Sequence, residues 1–470
     1  MRKTIFQQLS DSSLRPLPFA VIVAVLSIIF GYSLGALFVN LQYITDFYIL
    51  GESEIDVVFG TFILGGILGA FLGSGLCAGA GRRITLIGSA ALGAGSSLAT
   101  VFSPSFSVYL CSLLVMGLAF SLYTLSSLIY ICEITLPSNR GFCACLLPVA
   151  FLLGVEIGIF TPDLRPSGEG FPLYLLLVMI HILALVLAIL KLPESPRWLA
   201  LSGYYDAALS VLFSLRNDMG IAARELAGVN ECCRGEEKGS ELFLQNTNFR
   251  KIVWLLLTLV LFIQLSGVVI LPYTFSDLMI KTSYSDNFYM FSYSYDLLKA
   301  SLTVALFGAV SAMFTVDRCG RRIPMIISAV VSAITLLGLS LISFSEIEIV
   351  SMAIISILIV MFIYAASVFL CCFMAVLVCE VIPLRGREFG TAMVLLVNYV
   401  TILLCLQIFL SVIMSLDFKG LFFIEFIAAA VLCNITYNFV PNTNDSSIEN
   451  IENRLFAGRD LVNLGKANKN

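Results

Sequence analysis

The sequence predicts an all-α membrane protein of twelve transmembrane helices, arranged as two six-helix bundles related by a parallel repeat. Three observations carry this. Hydrophobic residues make up 59% and charged residues 12% of the 470, with a mean hydropathy of +0.98; a water-soluble chain of this length needs far more polar surface. Twelve apolar runs approach or exceed the ~20 residues that cross a ~30 Å hydrocarbon core: 18–40, 57–78, 84–102, 106–132, 142–162, 171–192, 251–277, 296–316, 323–344, 350–379, 389–414 and 420–440. Two charged patterns also occur once in each half of the chain. The short alternating segments of a β-barrel are absent, and open strands cannot satisfy their backbone in lipid.

Taken in order, residues 1–17 form a polar N-terminal tail with no cleavable signal pattern, so the first span is expected to act as a retained anchor. Residues 18–192 make the first bundle. Its first outer loop, Tyr43–Asp56, carries acids and no bases. Its second span holds Gly60, Gly65, Gly66, Gly69, Gly73 and Gly75, a small-residue face suited to close helix contact or sliding. Residues 193–250 are the one linker of ordinary polar composition. It opens on Pro193-Glu194-Ser195-Pro196-Arg197-Trp198-Leu199, and Tyr204–Leu215 and Ala222–Cys232 read as short amphipathic helices. Residues 251–440 form the second bundle and 441–470 a C-terminal tail.

The two bundles align through their charges. Gly81-Arg82-Arg83 answers Gly320-Arg321-Arg322 at an offset of 239 residues. Glu133 to Arg140 answers Glu380 to Arg387 at an offset of 247, with the same seven-residue step from Glu to Arg. Six spans per copy bring both copies in from the same side, the pattern of transporters whose site lies between the halves near the midplane. Basic residues set the orientation. With both termini in the cytoplasm, only Arg165, Lys281, Lys299 and Lys419 of the 27 Lys and Arg fall in outer loops, leaving 23 inside.

Charges at the edge of lipid need partners. In each half an acid ends one span (Glu133, Glu380) and a base begins the next (Arg140, Arg387). An Arg pair also sits in the tight hairpin between the second and third spans: Arg82 and Arg83, then Arg321 and Arg322. Bidentate Arg–carboxylate contacts among these groups would latch the halves on the inner side while the outer side is open. A basic excess at helix ends accounts for lone arginines without any latch; the repeated Glu-to-Arg step favours the latch.

Few other polar groups lie inside the spans. Glu156, in the outer part of the fifth, is either a proton carrier or substrate contact, or a carboxylate that snorkels or is bonded near a helix end; the second reading is the simpler. Glu425, in the outer part of the twelfth, reads more strongly the same way, and the lone His181 reads as a hydrogen-bonded packing residue. The thirteen cysteines fall in spans or on the cytoplasmic side without CxxC spacing, so neither disulfides nor a metal site are expected. No cluster points to reaction chemistry, a cofactor or nucleic acid.

Taken together, Phe30-Gly31-Tyr32, Gly81-Arg82-Arg83, Tyr130 to Gly141, PESPRWL at 193–199, Gln264-Leu265-Ser266-Gly267, DRCGRR at 317–322 and Glu380 to Arg387 resemble the sugar porter family of the major facilitator superfamily, over nearly the whole chain. The resemblance implies a two-bundle rocker switch carrying a sugar, hexose or trehalose-like, and is nearest to insect-type facilitated trehalose transporters and facilitative glucose transporters. It implies an inner gate of Arg82, Arg83, Glu133, Arg140, Glu194, Arg197, Asp317, Arg321, Arg322, Glu380 and Arg387. From the family's sugar pocket it leaves Gln264, Tyr273, Asn398 and Tyr399. Departures mark the rest. Ser33 replaces the Asp of the FGYDTG pattern in proton-coupled members, and Pro148 replaces a sugar-binding Gln. Ile263 and Val269 replace a Gln and an Asn, Phe369–Ala375 lacks a GPxPW-like segment, and Ala78 and Gly79 replace the Asp and first Arg of the first hairpin. The implied activity is facilitated diffusion across the plasma membrane by alternating access rather than enzymatic. Proton symport through Glu156, and a non-transporting sensor on a transporter scaffold, are the alternatives.

Overall fold

A computed structural model of the chain describes residues 15–160, 191–232, 238–268, 289–342, 349–444 and 446–465. Among them eleven segments are long and apolar enough to cross a bilayer as helices; the remaining run, 171–192, lies outside the described residues except for its last two. The first half contains α1 (Leu17–Tyr48), α2 (Glu52–Ala80), α3 (Arg82–Val101), α4 (Phe106–Ile134) and α5 (Arg140–Phe160). The linker forms α6 (Pro196–Leu201), α7 (Tyr205–Arg216), α8 (Met219–Cys232) and α9 (Gly239–Gln245). The second half contains α10 (Thr247–Leu265), α11 (Tyr289–Cys319), α12 (Arg322–Ile342), α13 (Ile349–Leu370), α14 (Val378–Val381) and α15 (Arg387–Phe439). A tail helix, α16 (Ile448–Phe456), follows. Asn246 Oδ1 caps the start of α10, accepting from the N–H groups of Asn248 and Phe249 at 3.0 and 2.9 Å.

Close backbone approach holds the first half together. A Cβ on Gly31 of α1 would lie 2.0 Å from the Phe151 carbonyl oxygen of α5, and one on Gly154 of α5 would lie 2.0 Å from that of Ile28. Gly65 and Gly69 of α2 press in the same way on Leu114 and Leu118 of α4. Lipid supplies no hydrophobic force between helices, so small residues that let backbones approach carry the association. The glycines of α2 therefore divide by role. Gly65, Gly69 and Gly73 face α4, Gly66 faces Tyr399 of the other half, and Gly60 and Gly75 face open space. In the second half α12 packs on α13 and α15, and α11 on α13; the halves meet along α5–α11 and α2–α15.

Several boundaries depart from the sequence expectation. The first outer connection is almost entirely helical, with only Ile49–Gly51 between α1 and α2, because Glu54 Oε2 accepts from the Gly51 N–H at 2.8 Å and starts α2 early. The seventh span, expected unbroken over 251–277, stops at Leu265, where Gly267 at φ 85° turns the chain. The eleventh and twelfth spans form one helical run, α15. Both ends of α15 lie where the charged repeat sits: Arg387 bonds Glu133, and the Tyr437 carbonyl accepts from Arg322. The run must therefore reverse between its apolar segments Leu384–Ile408 and Gly420–Phe439. In the tenth span the helix widens to a π-helical Cys371–Leu377 before α14, a form that recurs at functional sites.

Candidate functional site

At the linker end, α4 and α14 finish on Glu133 and Glu380, which are 0% and 1% exposed. Carboxylates this deep require cations and hydrogen bonds, and each finds the same set. Glu133 accepts from Arg82 Nε and Nη2, both at 2.9 Å, and from Ser195 Oγ. Glu380 accepts from Arg321 Nε and Nη2 at 3.0 and 2.7 Å, and from Thr443 Oγ1. These forked pairs stay within one half. The second cation is exchanged between halves: Arg387 Nη1 lies 3.2 Å from Glu133, and Arg140 Nη1 3.4 Å from Glu380. Each exchanged arginine makes one carboxylate contact, and its Nε is buried without a partner among the described residues.

Further groups surround these corners. Asp317 accepts from the N–H groups of Gly141 and Phe142 at 3.1 and 2.7 Å, where the start of α5 favours an anion. It also pairs with Arg321 at 3.0 Å. Glu194 accepts from the N–H groups of Arg82, Arg83 and Ser195 at 3.0, 3.1 and 2.8 Å; burial nevertheless pushes its carboxyl above the ordinary range. Arg197 bonds Glu449 from Nε and Nη2 at 3.0 and 2.8 Å and Glu225 at 3.2 Å, joining α6, α8 and α16 beneath the corners. Burial works against an ionised Glu449, but the Arg197 guanidinium prevails and holds its carboxyl down at about 2. Arg322 turns outward to the Tyr437 carbonyl and ring.

The sequence expectation omits Ser195, Glu225, Glu388, Thr443 and Glu449. A signal exists for two of them: Pro193-Glu194-Ser195 and Pro441-Asn442-Thr443 repeat at an offset of 248 residues. The repeat holds in space as well as in sequence. Asn442 Oδ1 accepts from the Arg321 N–H at 3.3 Å, as Glu194 does from that of Arg82.

At the break in α10, two of the four residues implied for a sugar pocket meet. Gln264 Nε2 donates to Asn398 Oδ1 at 2.7 Å, and Gln264 Oε1 is buried without a partner among the described residues. Tyr399 turns instead to the interface between halves, where a Cβ on Gly66 would stand 2.7 Å from its ring. Tyr273 and His181 lie outside the described residues. In the first half, Phe120 stacks with Phe62 and Phe151 at 6.2 and 5.1 Å between ring centres. Ser33, Phe62, Ser97, Thr100, Tyr109 and Met116 line a cavity, with no carboxylate or cation among its described lining residues. Glu156 accepts from Thr303 Oγ1, linking α5 to α11. Glu425 departs from the expectation of a snorkelling carboxylate: it is 0% exposed, both its oxygens lack partners among the described residues, and it presses on Gly267.

Two helical bundles, closed against each other at one end by exchanged arginines, define a transporter of the major facilitator fold. The sequence model described as "Sugar (and other) transporter" matches residues 19–455, and the chain belongs to that family. It is 26% identical over 453 residues to the arabinose-proton symporter of Escherichia coli K12, covering 95% of this chain and 94% of that protein. The galactose-proton symporter of the same strain is also 26% identical over 453 residues, covering 94% and 95%. Among solved structures, the proton:xylose symporter XylE bound to 6-bromo-6-deoxy-D-glucose superposes with a TM-score of 0.77 at 18% identity, covering 92% of this chain and 97% of that one. XylE from E. coli in its inward open conformation superposes with a TM-score of 0.63 at 18% identity, covering 92% and 98%.

Proposed function

We propose that this protein carries a sugar across the plasma membrane by alternating access, as facilitated diffusion, with both termini in the cytoplasm. The exchanged arginines carry this reading. Forked pairs hold each half's own corner together, whereas each exchanged arginine makes a single carboxylate contact across the halves, so those contacts break first when the halves part. Arg82, Glu133, Arg140, Asp317, Arg321, Glu380 and Arg387 form this inner gate, with Arg83, Glu194, Arg197 and Arg322 fixing the segments around it. The bundles at 18–192 and 251–440 rock about the substrate, and the 193–250 linker braces the closed side.

Family membership and relatives named for arabinose and galactose support a sugar. So do the Gln264–Asn398 amides, with an acceptor to spare, and the Phe120 ring in the facing half. Passive transport is supported by the cavity beside Ser33, which has no charged side chain among its described lining residues. The test is uptake of labelled glucose, arabinose and trehalose in a host lacking sugar uptake, with and without an uncoupler. Saturable, uncoupler-insensitive entry is expected; no saturable entry despite surface delivery sinks the sugar reading. Entry abolished by the uncoupler and by Glu156→Gln would establish proton symport, the reading favoured by the Glu156–Thr303 link between halves.

A further inference from the structure

The repeat that builds the two corners is asymmetric at the acid of the hairpin helix. Asp317 on α11 answers Ala78 on α2, since the two are 239 residues apart, the hairpin offset. Facing them, Gly141 at the start of α5 answers Glu388 at the start of α15, 247 residues apart, the offset of the Glu-to-Arg motif. One corner thus has an acid on the hairpin helix and glycine opposite; the other has alanine on the hairpin helix and an acid opposite. Sterics explain the coupling. A Cβ on Gly141 would stand 2.4 Å from Asp317 Oδ1, so a side chain there cannot coexist with the aspartate. With alanine at 78, the equivalent space admits the Glu388 side chain, and its Oε1 lies 2.5 Å from Arg82 Nη2. Both hairpin arginines consequently end with two carboxylates: Glu133 and Glu388 for Arg82, Glu380 and Asp317 for Arg321.

We propose that Glu388 is the transposed acid of the first hairpin, a positioning residue that closes the inner gate from the opposite half. Transposition changes what opening separates. Asp317 shares α11 with the hairpin and stays with Arg321 when α5 withdraws, losing only the N–H bonds of Gly141 and Phe142. Glu388 rides on α15, so opening parts it from Arg82 altogether. The Arg82 corner is therefore the stronger lock, and neutralising Glu388 releases it.

The inference rests on the alternating-access reading, but its test needs no substrate. Spin labels at exposed Ser138 and Arg318 report the separation of the two halves at the linker end of the purified full-length chain. Glu388→Gln should raise the open-to-closed ratio about tenfold, the scale of a lost buried charge contact. Glu388→Asp keeps the charge with a shorter reach and should shift the ratio less. The reciprocal exchange, Ala78→Asp with Glu388→Gly, should return the ratio to within about twofold of the parent, whereas Glu388→Gly alone should not. A purely structural role would lower the melting temperature of every Glu388 variant without rescue by Ala78→Asp. An unchanged distance distribution in Glu388→Gln, or a failed exchange in protein that melts like the parent, would overturn the proposal. The expected gate shifts in a chain that moves no sugar would count against the transport reading and leave this one intact.

Discussion

Replacing Arg387 by glutamine removes the side-chain contact joining Glu133 to the second half and leaves the forked Arg82–Glu133 pair intact. Unit charges 3.2 Å apart attract by about 5 kcal/mol at an effective dielectric of about 20. Dehydrating two ions offsets most of this, so the net loss should be about 1.5–3 kcal/mol. That corresponds to a roughly ten- to hundredfold larger population open on the linker side. Arg140→Gln should act nearly equally, since its contact is only slightly longer at 3.4 Å. Native thiols report the change. Cys132 and Cys379 sit on opposite halves, 1% and 0% exposed, with Cys132 Sγ donating to the Cys379 carbonyl at 3.4 Å. Opening uncovers both, so a maleimide applied from the linker side should modify them at least about tenfold faster in either variant, read peptide by peptide by mass spectrometry. Unchanged rates at both thiols, in variants that melt like the parent, would refute the gate. The exchanged arginines would then serve only to neutralise buried carboxylates.

Other outcomes follow from the same geometry. Glu425→Gln should raise thermal stability by about 1–3 kcal/mol, because a buried carboxyl with no partner among the described residues is replaced by a neutral amide; a lower melting temperature would mean that the carboxyl has a partner. Gly154→Val should abolish monodisperse protein in size-exclusion chromatography, since its Cβ meets the Ile28 carbonyl oxygen at 2.0 Å, while Gly75→Val, facing open space, should not. The folded value of Glu449, about 2, lies below its ordinary 4.5. The stability from its Arg197 pair is therefore fully present above pH about 4.5 and lost as pH falls through about 2. Glu449→Gln should free α16 for proteolysis already at neutral pH, and resistance equal to the parent's would count against that pairing.

Hydropathy locates the eleven described spans to within several residues at most ends, because length and apolarity are what lipid selects. It does not see the stop at Gly267, since a turn inside an apolar run leaves composition unchanged. The charged repeat identifies Glu133, Arg140, Glu380 and Arg387 but not their exchange. Internal homology aligns equivalent positions, whereas pairing depends on how the halves close. Tyr399 follows Asn398 directly, yet one residue is about 100° around a helix, enough to send it to Gly66 rather than Gln264. Glu388 escapes notice beside the more conspicuous Arg387, although the missing acid at Ala78 is the cue to look for a replacement. Glu425 looks peripheral in a linear span, and only the turn after α10 encloses it.

The wiring of the two corners also bears on biosynthesis. When the first half leaves the ribosome, Glu133 has Arg82, and Ser195 once the linker follows, but Arg387 lies 254 residues further on. Glu380, in turn, meets an Arg140 made long before it, and then waits for Thr443. Neither bundle can complete its own charge cluster alone, so assembly of the two is checked by the same ions that later separate them.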